Sequence, residues 1–317
     1  MSFAEPALDE DPPLAFSAAA NPERADKFFA GTGHSIAAIL ALANEGKPLP
    51  RFAIPAKIRA RVKFETAGLE SQNVAGLLRG TDSRLRDEYV VLTAHLDHLG
   101  VGRPINGDSI YNGAMDNASG VATLIETARL LQAPGRRPLS RSVLFVAVTG
   151  EEKGMLGSRY FALRPTVEGR DIVANLNVDM FMPFYALKLL TVMGVDESTL
   201  GDEARAVAAR LGLEVEADPE PQRNRFIRSD QYSFIRRGVP ALAFKVGYAK
   251  DSPEAAIARK WLAERYHAPS DDLEQPVDRQ AATDFNRFYA ALVEAVANRP
   301  SRPKWREASF FRRFAKR

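Results

Sequence analysis

Hydrophobic positions along the chain keep two spacings, which predict buried strands alternating with amphipathic helices. Tyr89 to Leu92, inside DEYVVLTAH, form a short β-branched run bounded by charge, the pattern of a strand covered on both faces. SVLFVAVT (142–149) and IVANLNVDM (172–180) repeat it, and QNVAGLLRG (72–80) and a segment from Leu187 to Met193 add two more strands. RSDQYSFIRRGVPALAFKV reads as a loop, a short helix and another buried strand, while the strict alternation of IRARVKFET (58–66) predicts a half-exposed one. Asp116 and Asn117 look like the cap of a helix with Val121, Leu124, Ile125 and Ala128 on its apolar face. Leu200, Ala204, Val207, Ala208 and Leu211 mark a second helix, and Phe285, Phe288, Leu292 and Val296 mark a third between Arg279 and Ala297. Nearer the start, residues 1–20 read as irregular. Asn21-Pro22 opens a short helix to about Ala30, and Ser35 caps another, Ile36 to Glu45, which Gly46 ends. The stretch holding Gly102, Asn106, Gly107, Asn112 and Gly113 reads as a loop.

The expected architecture is an α/β three-layer sandwich: a mixed, mostly parallel twisted sheet with helices on both faces. With 317 residues, 45% of them hydrophobic, the chain can bury one large core. The simplest division is an N-terminal segment of short helices at 1–57, a main domain at 58–300 and a basic, aromatic tail at 301–317. In that tail Trp305 and Phe310 or Phe311 are expected to pack on the domain surface.

Charge changes this picture little. The 43 basic and 40 acidic residues leave a net charge of +3, too small an excess to call for a nucleic-acid partner. No cysteine is present, so thiolate ligands, disulfides and a cysteine nucleophile are excluded. The first residues lack the positive and apolar regions of an export signal, and no apolar run approaches the ~20 residues of a membrane span. Oligomeric state and compartment stay open.

What stands out is where the apolar strands end. DEYVVLTAH delivers His95, SVLFVAVT runs into Glu151 and Glu152, IVANLNVDM delivers Asp179, and loops add Asp116 and His267. Carboxyl ends of strands are where ligands sit in open α/β sheets. Imidazole and carboxylate without thiolate suit zinc or a similar divalent ion. Charge counting favours two ions: a bridging Asp116, terminal Glu152 and Asp179, and one hydroxide balance two divalent cations. Glu151, pointing away from its neighbour Glu152, is a base that need not be a ligand. Asp97, two residues after His95, can hold that ring in one tautomer. His98 is read as a neighbour of the site rather than a ligand, His34 as surface, and Ser229 has no partners for a serine triad.

TAHLDHLG, GAMDNASG, TGEEKGMLGS, NLNVDM, RSDQYSF and RYHAPSDD, in this order, resemble peptidase family M28, the co-catalytic zinc aminopeptidases of the zinc-dependent exopeptidase fold. The resemblance implies two Zn2+ per chain, with Asp116 bridging, His95 and Asp179 on one ion, and Glu152 and His267 on the other. It makes Glu151 the general acid/base, Asp97 the orienting group and Tyr266 a donor to the developing oxyanion. Arg228 and Asp230 would lie near the substrate's amino end, and the Asp116–Asn117 peptide would be cis. The implied activity is release of the N-terminal residue from peptides with a free N-terminus, by metal-bound hydroxide. Relatives of this wording carry a signal sequence and a protease-associated insert. Residues 1–57 would then be the end of that insert, and a longer chain would be periplasmic or secreted.

Three rivals follow. A carboxypeptidase or dipeptidase would need a cationic clamp, for which Arg223, Arg225 and Arg228 are available. A glutaminyl cyclase would use one zinc on the same fold. A non-catalytic binding module would not need Glu151.

Overall fold

The computed structural model describes residues 1–9, 20–63, 65, 67–167 and 171–315. It forms two compact units, one spanning Ala4–Leu69 and one spanning Glu70–Arg317 together with Met1–Phe3.

The smaller unit holds α1 (Asp26–Phe29) and α2 (Ile36–Asn44). Ser35 caps α2 as expected, its hydroxyl accepting from the Ala38 amide at 3.2 Å. His34 stacks on Phe52 with ring centroids 4.1 Å apart, which accounts for it structurally. The strand expected at 58–66 is absent from the described residues there: Ile58 and Val62 are 66% and 56% exposed. Alternation supplies an apolar face but no backbone partner, and an extended segment without a neighbouring strand gains no ladder. Phe64 and Thr66 of that stretch, and 10–19 of the expected irregular N-terminus, lie outside the described residues.

The larger unit is a layered α/β domain. Its strands are β1 (Val74–Leu78), β2 (Glu88–His95), β3 (Gly100–Ile105), β4 (Asp108–Tyr111), β5 (Ser142–Val148), β6 (Asp171–Val178), β7 (Leu189–Met193), β8 (Glu214–Glu216) and β9 (Ala241–Val246). Seven form one sheet in the order β1-β5-β2-β6-β9-β7-β8. The central strands β5, β2, β6 and β9 run parallel, while β1 pairs antiparallel with β5 and β7 with β9, and the edge strand β8 runs parallel to β7. This is the mixed, mostly parallel sheet that the apolar runs predicted. The helices are α3 (Ser119–Leu131), α4 (Leu156–Leu163), α5 (Leu200–Arg210), α6 (Gln231–Ile235), α7 (Pro253–Glu264) and α8 (Arg279–Asn298).

Alternation along β2 assigns its side chains to two cores. Val90, Leu92 and Ala94 join a large cluster with residues of α3, α5 and α8. Tyr89 and Val91 point the other way, into a cluster with Phe161 of α4 and Phe234 of α6. Full burial of Val90, Val91 and Leu92 contributes about 1.5–3 kcal/mol each. Phe285, Phe288, Leu292 and Val296 of α8 are all fully buried, as their spacing predicted.

Four local expectations are corrected. On α3 the buried residues are Gly120, Thr123, Leu124, Thr127 and Leu131, while Ile125 is 68% exposed. Two threonines occupy the inner face, so counting aliphatics alone placed that face wrongly. Leu211 lies just past α5 and is exposed. The supposed loop after β2 contains a hairpin, β3 and β4, joined at Asn106-Gly107 with both residues at positive φ. Asn-Gly is a strong hairpin signal that went unused. Helix α7 was not predicted, although Ser252 caps it and Pro253 opens it. In the tail Trp305 packs with Ile235 and Ala241, with Phe311 against them, while Phe310 is exposed under Arg313. Among the described residues no helix is long and apolar enough to cross a membrane.

Candidate metal centre

The carboxyl ends of β2, β5 and β6 bring the predicted residues together. His95, the last residue of β2, is buried and directs Nε2 toward Asp116 Oδ1 at 3.1 Å and Asp179 Oδ1 at 3.6 Å. The other oxygen of Asp116 faces His267 Nε2 at 3.3 Å, and that nitrogen is also 3.3 Å from Glu152 Oε2. Asp116 thus stands between two imidazole–carboxylate groups with one oxygen toward each. Ligand atoms of His95, Asp116 and Asp179 lie within 4.8 Å of one another, as do those of His98, Asp116 and Glu152. Hard oxygen and borderline nitrogen donors converging in this way fit a pair of divalent ions such as zinc.

Several elements hold these groups. The Asp97 carbonyl lies 3.0 Å from His95 Nδ1, which leaves Nε2 facing the two aspartates. The expectation for Asp97 is refined here: its carboxylate is 3.9 Å from the ring and instead accepts from the amides of Glu151 and Glu152, at 3.1 and 3.3 Å. Asp97 therefore positions the turn that carries the candidate base.

Asp116 precedes a cis peptide bond to Asn117, as the resemblance implied. The cap position of α3 falls on Ala118 rather than on Asp116 or Asn117, and the side chain that serves this first turn is that of Asn117, whose Oδ1 accepts from the Gly120 amide at 3.0 Å. The Asp116 backbone is held from a distant loop: Asp271 accepts from the amides of Met115 and Asp116 at 2.8 and 3.0 Å. A second chain of buried polar groups climbs between β2 and β6. Asn175 donates to Thr93, Thr93 to Asn177, Asn177 to Ser229, and Ser229 to Asp179 Oδ2 at 2.6 Å. Asp271, Asn177 and Ser229 were missed as supports. The signals available were two asparagines inside an otherwise apolar strand and the acidic pair Asp271-Asp272 after His267.

Electrostatics separate the carboxylates. Burial, together with the charges of Asp230 and Asp179, pushes Glu151 up to about 9. Burial also pushes Asp230 up to about 7. For Glu152 burial acts in the same direction, but the imidazoles of His267 and His98 outweigh it and hold the group at about 2. With no cation bound, burial and neighbouring acids thus favour the protonated form of Glu151 while Glu152 stays ionised, although the two are neighbours in sequence. Burial and the nearby acids raise Tyr266 to about 12, so it keeps its phenolic proton; its ring stacks on His267 at 3.9 Å.

Beside Asp179 opens a cleft of about 250 Å³ lined by Met180, Met182, Arg228, Lys245, Tyr248 and Tyr266. Arg228 reaches this cleft. Asp230, paired with it in the expectation for the substrate's amino end, is fully buried and is not among the residues lining the cleft; its charge is one of the causes that raise Glu151. Lys245, also unforeseen, donates to the carbonyls of Asp179 and Met180 at 3.3 and 3.2 Å.

Fold and centre together define an α/β sandwich built around a candidate metal site. The chain belongs to peptidase family M28, whose model matches residues 73–293. Aminopeptidase YwaD of Bacillus subtilis is 26% identical over 239 residues, which are 74% of this chain and 46% of YwaD. BSAP, a zinc aminopeptidase from Bacillus subtilis, superposes with a TM-score of 0.53 at 22% identity, over 73% of this chain and 52% of BSAP. Porphyromonas gingivalis glutaminyl cyclase shares the fold with a TM-score of 0.52 at 20% identity, over 70% of this chain and 76% of that one. The chain spans about half the length of the curated relatives it matches.

Proposed function

We propose that the chain is the catalytic part of a two-zinc aminopeptidase that removes the N-terminal residue from peptides. The observation that carries this reading is Asp116, whose two oxygens face separate imidazole–carboxylate groups beside a buried Glu151. His95 and Asp179 would hold one ion, Glu152 and His267 the other, with Asp116 shared. A pair of divalent ions there supplies polarisation of the scissile carbonyl and a lowered pKa for water.

The remaining work falls to the chain's own groups. Glu151, fixed through its amide by Asp97, is placed to take a proton from the attacking water and pass it to the leaving amine, and the positive charge of bound cations would favour the ionised form that this requires. Tyr266 donates its retained proton to the oxyanion. The cluster of carboxylates favours a substrate ammonium, which supports cleavage at a free N-terminus. The names of YwaD and BSAP support the same reading.

A carboxypeptidase or dipeptidase reading has less support. Arg223 and Arg225 are paired with Glu220, and Arg225 also with Asp218, which leaves Arg228 for a substrate carboxylate. A cyclase needs one ion, and the second donor group opposes it.

The test is metal content with hydrolysis of aminoacyl chromogenic substrates, free and N-acetylated, before and after chelation. Two zinc ions per chain and cleavage of unblocked substrates alone are expected. Cleavage of blocked substrates, or turnover that survives chelation, would refute the proposal.

A further inference from the structure

Resting on that two-cation reading, we propose that His98 is a further protein ligand of the cation at Glu152, so that the buried wall offers His98, Asp116 and Glu152 before the loop residue His267 joins. The sequence places His98 just past the end of β2, where a surface imidazole would be the ordinary outcome. Its side chain is instead only 6% exposed, and so is that of Glu152.

His98 Nδ1 lies 2.8 Å from Glu152 Oε1, yet neither atom makes a hydrogen bond of acceptable geometry, and His98 Nε2 has no partner either. A buried donor or acceptor left in this condition is destabilising until something else satisfies it. A buried imidazole and a buried carboxylate that approach this closely without a hydrogen bond leave both groups free to serve a shared cation. One ligand atom each of His98, Glu152 and Asp116 lie within 4.8 Å of one another.

The placement is built in. Gly113 sits at φ +69°, and a Cβ there would come within 2.6 Å of the His98 ring, so the ring occupies space that a side chain at 113 would take. The oxygens of Glu152 divide their directions, Oε1 toward His98 and Oε2 toward His267 at 3.3 Å. The two imidazoles meet edge to face at 5.6 Å, flanking the same carboxylate from wall and loop. His267 itself is 35% exposed, the more accessible of the two. The two cation positions are then unequal: His95, Asp116 and Asp179 make a three-donor site, while Glu152, Asp116, His267 and His98 make a four-donor site.

The experiment is zinc stoichiometry and affinity on the full chain by competition with a chromogenic chelator. It is combined with zinc-edge X-ray absorption, which counts imidazoles. Wild type should bind two ions with three imidazoles between them. His98→Ala should weaken the second ion by roughly 10- to 100-fold and lower the imidazole count by one. His267→Ala should still bind a second ion, more weakly, and the double variant should bind only one. His98→Gln keeps an amide able to hydrogen-bond Glu152 and guards against loss of folding in the alanine variant; it should behave like His98→Ala. Unchanged affinity and imidazole count in His98→Gln or His98→Ala would overturn the assignment. Wild type binding fewer than two ions would instead remove the two-cation reading on which it stands.

Discussion

Strand β2 carries a cluster of charge at each end, and the two are built on opposite principles. At the amino end Arg141 is fully buried, and its Nε donates to Glu88 at 2.6 Å while its Nη1 donates to the carbonyls of Val296 and Arg299. Arg302 spans Glu88 and Asp171, which sit side by side in the register of β2 and β6. Two guanidinium groups meet two carboxylates, and the charge closes on itself. At the carboxyl end Asp97, Asp116, Glu151, Glu152, Asp179 and Asp230 crowd against three imidazoles and Lys245, with His98, one oxygen of Glu152 and both of Asp230 lacking hydrogen bonds. A closed cluster ties strands and termini together. An open one with excess negative charge is arranged to take positive charge from outside the chain.

Variants at the two ends should therefore fail differently. The largest effect is expected for Asp116→Ala, which removes the donor common to both groups: bound zinc measured by elemental analysis should fall and hydrolysis should vanish, with thermal unfolding little changed. Retention of two ions would contradict a bridging role. Next, Glu151→Gln should keep both ions, because Asp97 holds the backbone of that turn, and lose roughly 10²–10⁴-fold in kcat, the usual worth of a positioned general base. Near-normal turnover would take Glu151 out of the chemistry.

At the closed end the signature moves to stability. Arg141→Ala leaves Glu88 without its buried partner and should cost about 3–5 kcal/mol in denaturant unfolding, with metal content unchanged in the folded fraction. A loss of bound zinc there would erase the contrast between the two ends. The smallest change is expected for Arg302→Ala, whose side chain is half exposed: about 0–1 kcal/mol by the same unfolding measurement.

The architecture was legible where packing is encoded locally. The run Tyr89 to Leu92 is apolar on both sides because both faces of β2 are covered, and the register of α8 followed from four aromatic and aliphatic residues one turn apart. Where a local pattern depends on a partner it misled: IRARVKFET alternates like a strand but has no strand to pair with, and α3 buries Thr123 and Thr127 where the aliphatics suggested another face. The candidate ligands His95, Asp116, Glu152, Asp179 and His267 were readable because each ends an apolar strand or belongs to a motif; the structure brings all five together.

His98 was readable as a neighbour of the site, but its contact with Glu152 and those of Asp271 and Ser229 were not, and the reason is geometric. Their partners lie at sequence distances of tens to more than a hundred residues, and the strand order β5-β2-β6-β9 determines which of those distances close. The sequence by itself determined which residues carry donor atoms and which runs must be buried, since side-chain chemistry and hydrophobic spacing are properties of the chain. Only the tertiary structure decided which donors share one space: that depends on sheet order and on the room left by Gly113, neither of which any local stretch encodes.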